Sequence, residues 1–147
     1  MKKNLIIFFI IFIHIFLVKN VLANESYFKE GKKNYNEKKY EVSKFLFQRN
    51  IVFNPRDSKS YLYLAKIYNF EKNEKEEEKN LNTTLLLDPN NEEAIFMLME
   101  IGIKKSNYSK VKELSQTFLK ICKDLCEKNK YILESLKTYK GGQMRLG

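Results

Sequence analysis

The sequence predicts an all-α chain built of repeated helix pairs, and three observations carry that prediction. Apolar residues recur three and four positions apart in successive stretches, as amphipathic helices require. The stretch from Ser58 to Asn91 shares a period of 34 with the one before it: Tyr27 falls under Tyr61, Gly31 under Ala65 and Pro55 under Pro89. One period further on, Ile95, Leu98 and Gly102 fall under Tyr61, Leu64 and Tyr68, again without a gap. A fixed period of this length marks stacked units, each of which buries its apolar face only against its neighbours.

The first unit covers residues 24–57, with a front helix over about 25–36 carrying Tyr27, Gly31 and Tyr35. Its back helix, over about 40–53, carries Phe45, Leu46, Phe47 and Ile51. Asn54-Pro55 ends it, because proline restricts the residue before it and cannot continue the hydrogen-bond ladder. Asp57 or Ser58 then caps the front helix of the second unit, residues 58–91, which is expected over about 60–71 and ends its pair at Asp88-Pro89. The charge run Glu74-Lys75-Glu76-Glu77-Glu78-Lys79 surrounds most of a helix circumference and reads as a solvated face. The third unit, residues 92–125, has helices over about 92–105 and 108–121. It departs from the first two in Met99, which replaces the small Gly31 and Ala65, and in Lys123, which stands where proline is expected. Residues 126–140 then form a terminal helix with Ile132, Leu136 and Tyr139 on one face, and residues 141–147 a flexible tail.

In Tyr61, Leu64, Ala65, Tyr68 and Pro89 the chain resembles a tetratricopeptide repeat (TPR), with Glu30, Asn34 and Glu77 as departures from the family pattern. The resemblance implies a right-handed helical solenoid of about three TPR-like helix pairs plus a C-terminal capping helix. It also implies a concave wall of front helices on which a partner peptide binds. The wall positions are Phe28, Leu62 and Phe96 as an apolar row, flanked by Lys32 and Lys66, with Tyr35, Phe70 and Ile103 further along. Such a stripe suits an extended or helical peptide with bulky side chains and a carboxylate. The alternative is that these rings pack against their own neighbours. The carboxylate clamp of chaperone-binding members does not carry over, because the third front helix offers Glu93 and Glu100 there.

The start of the chain differs in kind. Lys2 and Lys3 precede an apolar run from Leu5 to Val18, broken only by His14, and then Val21-Leu22-Ala23. That order is expected of a signal peptide, residues 1–23, cut after Ala23, which would send the chain to the periplasm or outside the cell. The alternative is an uncleaved membrane anchor, although the run from Leu5 to Val18 falls short of the ~20 residues that span a bilayer. Removing residues 1–23 takes three of the 27 basic residues and none of the 18 acidic ones, which leaves a charge of +6. Apart from Arg49, Arg56 and Arg145 the cations are lysines, so the charge reads as a solvated surface. No nucleic-acid partner is expected, since base recognition favours arginine forks.

Composition narrows the chemistry. The single histidine, His14, leaves with the leader, so the exported chain offers no His for a nucleophile pair, a zinc site of ordinary type or haem. None of the five glycines stands in a phosphate-binding loop. The expectation is therefore no catalytic residues, no cofactor and no metal. Cys122 and Cys126 stand four apart in CKDLC. Within one helix their Cβ atoms would be ~5–6 Å apart, against the ~3.5–4.5 Å of a disulfide. A bond therefore requires a turn, which the absent proline at Lys123 and the new helix near Glu127 supply. The alternatives are two thiols in one helix or a redox pair with a thiolate of lowered pKa.

Overall fold

The computed structural model describes residues 27–143. The expected leader, residues 1–23, lies outside them, as do residues 144–147 of the expected tail. All regular structure among the described residues is helical. Residues 27–36 form α1, followed by α2 (Tyr40–Phe53), α3 (Ser58–Phe70), α4 (Glu74–Leu87), α5 (Glu92–Lys104) and α6 (Tyr108–Ile121). A short 3₁₀ turn, Cys126–Lys128, leads into α7 (Asn129–Gln143). α2 and α6 have the expected bounds, α3 begins two residues early, and the terminal helix begins at Asn129 and continues to Gln143.

The period is written in the backbone as well as in the side chains. Among the described residues Lys38, Lys72 and Ser106, one period apart, are the non-glycine residues with left-handed φ, at 60°, 57° and 56°. Each follows a front helix and lets the chain reverse into the back helix. The Lys39, Asn73 and Asn107 amides then bond back to the Asn34, Tyr68 and Gly102 carbonyls at 2.9, 2.9 and 2.8 Å. This satisfies front-helix carbonyls that would otherwise lack partners. Asn73 and Asn107 also cap their back helices, accepting from the Glu76 and Lys110 amides, whereas Lys39 provides no side-chain cap. Asn91 caps α5 in the same way through the Ala94 amide.

The described residues divide into two compact units, the first ending at Leu64 and the second beginning at Ala65. In the first, α1 and α2 approach so closely that a Cβ at Gly31 would lie 3.0 Å from the Phe47 ring. The buried Ser43 hydroxyl donates to the Gly31 carbonyl at 2.9 Å. Phe47, fully buried, stacks on Tyr63 at 4.9 Å between centroids. Asn50 ties α2 to the start of α3 by donating to Asp57 and to Ser60 Oγ at 2.7 and 2.8 Å.

In the second unit α5 packs against α4, α6 and α7. Its core is aliphatic: Ile67, Leu81, Ile95, Met99, Ile101, Val111 and Ile132, with Phe118 the one fully buried ring among the described residues of this unit. Gly102 lets α5 and α6 touch, since a Cβ there would meet Val111 Cγ2 at 2.6 Å. Met99, which departs from the small-residue pattern, is fully buried. The reason lies at the equivalent back-helix positions. As the front residue grows from Gly31 through Ala65 to Met99, the back residue shrinks from Phe47 through Leu81 to Ser115, and all six are buried. Interiors are packed close to crystal density, so the two positions share a nearly fixed volume.

The charge run of residues 74–79, expected as a solvated face, is partly drawn into the interior: Glu74 and Glu78 reach Lys105 at 3.3 and 2.6 Å, but Glu77 is only 3% exposed. Glu77 occupies a small-residue position of the repeat that faces the front helix, and there it accepts from Asn69 Nδ2 at 2.8 Å. Burial pushes its carboxyl above the ordinary range, partly offset by the Asn69 bond and Lys104.

Candidate functional site

The wall positions read from the sequence fall into two kinds. In the first unit Phe28 and Tyr35 are half-buried in a ring cluster, and Tyr63 joins them, 5.9 Å from Phe28 and 5.1 Å from Tyr35. Both contacts are edge-on, the arrangement that ring quadrupoles favour. Phe28 also packs on Phe47 at 5.7 Å, and Tyr35 on Tyr40 at 5.6 Å. Lys32, one turn from Phe28, is exposed. Leu62, expected on the open wall, is 8% exposed and belongs to the interior.

In the second unit Phe96, also expected to be open, is 9% exposed. Its ring lies 6.3 Å from Phe118, and the Lys128 ammonium sits 5.3 Å above its centroid. The terminal helix region thus closes over the ring that the sequence placed on a groove. Lys66, expected to orient a ligand carboxylate, pairs with Glu93 at 2.8 Å. Phe70 is 64% exposed and Ile103 half-buried. Between these charges Glu100 is half-buried, and burial raises its carboxyl pKa against the pull of Lys104 and Lys128.

Sequence reasoning missed Tyr63, Tyr40 and Lys128. Tyr63 stands next to the wall position Leu62, and its aromatic character was the signal available. Lys128 became visible only when the fold returned α7 to α5.

The exit of the third pair is braced twice. The Cys122 and Cys126 sulfurs are bonded at 2.13 Å, with Cα atoms 5.3 Å apart, across the turn between α6 and the 3₁₀ segment. The Glu92 carboxylate accepts from the Lys123 and Asp124 amides at 2.8 and 3.3 Å. Those backbone bonds, Lys123's first, hold the Glu92 pKa below the usual carboxylate range. The turn takes the place of the missing proline. Among the described residues no group of three or more His, Cys, Asp or Glu could hold a metal ion. No helix among them is long and apolar enough to cross a membrane.

No family model matches the chain, and no curated protein matches its sequence. Solved structures do match, several of them TPR domains. The Arabidopsis OM64 TPR domain superposes with a TM-score of 0.72 over 82% of this chain and 98% of its own, at 16% identity. The Yersinia enterocolitica type III secretion chaperone SycD, solved with a peptide of the translocator YopD, gives 0.69 over 81% and 93%, also at 16%. The second TPR domain of human RPAP3, in complex with an HSP70 peptide, gives 0.65 over 82% and 98%, at 20%. The fold is therefore the all-α, TPR-like helical-repeat fold that the sequence pattern implied.

Proposed function

We propose that the chain is a non-catalytic protein-interaction scaffold that holds a partner peptide on its front-helix wall, the concave face of TPR-type arrays. The observation that carries this reading is the fold itself, shared with domains solved holding peptides. Side chains within each unit, taken separately, support it. Lys32 is exposed beside the half-buried rings of Phe28 and Tyr35, while Phe70 and Ile103 offer apolar surface next to the Lys66–Glu93 pair. The exposed Phe70 replaces the buried Phe96 as the apolar anchor, since an anchor must bring its own surface out of water on binding. The order of residues 2–23 further supports export to the periplasm or beyond, with the mature chain beginning at Asn24.

The test is a pull-down from an envelope fraction with the exported chain as bait. Phe70→Ala should weaken capture of a partner by about 2 kcal/mol if it is a central anchor, with unfolding by heat unchanged. Capture that is indifferent to both Phe70→Ala and Lys32→Glu would overturn the concave-wall reading. Intact mass of the same protein tests export. A full-length mass would replace the soluble scaffold with one anchored by residues 1–23.

A further inference from the structure

α5 is flanked by the back helix before it, α4, and by its own back helix, α6, whereas α7 packs on α6 and α5 and has no back helix of its own among the described residues. The place of that helix is a groove of about 680 Å³ along α6 and α7. Leu119 of α6 and Leu133 and Leu136 of α7 supply its apolar lining. Leu119 and Leu133 remain 55% and 38% exposed and line one groove together, and it is contiguous apolar surface, not single exposed residues, that marks an interaction site. The charged groups lining it are Lys112 and Lys137, with no carboxylate among the lining residues. Neither lysine is paired with a carboxylate of the described residues, although Lys110, close by, is paired with Glu113.

We propose that this groove docks an amphipathic helix of a partner protein, apolar on the face laid against Leu119, Leu133 and Leu136 and acidic along the edges that meet Lys112 and Lys137. The helical shape follows from the repeat, in which the same position beside each earlier front helix is filled by a helix. The acidic character follows from the two lysines, since a like-charged partner would leave both without a counter-charge. A second copy of this chain is disfavoured for the same reason, as the chain carries a net charge of +9. The groove lies wholly within the second unit and is independent of the front-helix wall.

The probe is a fluorescein-labelled synthetic helix of the length of α7, 15 residues, with leucines at helical spacing and glutamates at their flanks. A control peptide carries lysines in place of the glutamates. Fluorescence anisotropy should show the acidic peptide binding and the basic one not. Lys112→Glu with Lys137→Glu should weaken the acidic peptide by about tenfold and admit the basic one. Leu119→Asp should abolish binding while leaving heat unfolding unchanged, because Leu119 already faces solvent, and Phe70→Ala should have no effect. Equal binding of the two peptides would overturn the proposal. So would loss of binding in Phe70→Ala but not in Leu119→Asp, or a dimer in sedimentation that Leu119→Asp splits.

Discussion

Residues 27–64 are held by rings, whereas residues 65–143 are held by aliphatic side chains and braced at their exit. In the first unit Phe47 lies against Phe28 and Tyr63, Tyr35 against Tyr40 and Tyr63, and Tyr27 stacks on Phe53, with the Arg49 guanidinium 5.1 Å from the Tyr27 ring centroid. In the second unit Phe96 and Phe118 pair, and the other fully buried side chains are chiefly Ile, Leu, Met and Val, joined by a disulfide and the Glu92 bonds. Both produce the same reversal at Lys38, Lys72 and Ser106. The repeat thus constrains backbone geometry and total volume, not the chemistry that fills it. A ring interior concentrates the stability of many contacts in few residues, while an aliphatic one spreads it.

The largest effect should come from Phe47→Ala, which removes a ring touching Phe28, Tyr63 and Gly31 and should cost about 4 kcal/mol in urea unfolding. Leu81→Ala, at the equivalent position, should cost about 3 kcal/mol, and only the first variant should collapse the near-ultraviolet circular dichroism of the rings. If the two variants were reversed in order, the contrast between concentrated and spread interiors would fall. Reduction of the Cys122–Cys126 bond should cost about 2 kcal/mol or less, because the loop it closes is short. Hydrogen exchange should show α7 opening first, with α2 unaffected. Two titratable thiols in protein isolated from an oxidising compartment would remove the brace from the comparison.

The smallest effect is electrostatic and sets two carboxylates of the second unit against each other. Glu77 has its folded pKa raised above 4.5 by burial, so its ionised form opposes folding at neutral pH, and that penalty disappears as pH falls through the raised value. Glu92 has its pKa lowered below 4.5, so its contribution is present above the ordinary carboxylate range and is lost as pH falls through the lowered value. Glu77→Gln, which keeps an acceptor for Asn69, should therefore stabilise the protein at pH 7 and lose that advantage towards pH 4 in thermal unfolding. An advantage independent of pH would assign the effect to packing instead of charge.

Much of the fold was legible because the repeat states the same instruction three times. Tyr40–Phe53 and Tyr108–Ile121 were bounded correctly because Asn54 with Pro55, and CKDLC, punctuate their ends. The candidate wall was less legible. A helical pattern says which residues share a face, but not which helix arrives later to cover it. Phe96 was closed by Lys128 and Phe118, one from the terminal segment and one from the paired back helix. Phe70, a wall position that stays 64% exposed, is the last residue of α3. The start of α7 at Asn129 was hidden because Glu92, more than 30 residues earlier, helps fix the turn before it.

The inverse sizes at Gly31 and Phe47, Ala65 and Leu81, Met99 and Ser115 bear on how such a chain can change over evolutionary time. A recombination that joined the front helix of the third repeat to the back helix of the first would set methionine against phenylalanine and overfill the pair. The reverse exchange would set glycine against serine and leave a void. Either error costs a few kcal/mol, a large share of what a chain of this size has to spare. The two helices of each repeat are therefore matched to one another, and such an array changes more readily by copying whole pairs than by exchanging single helices.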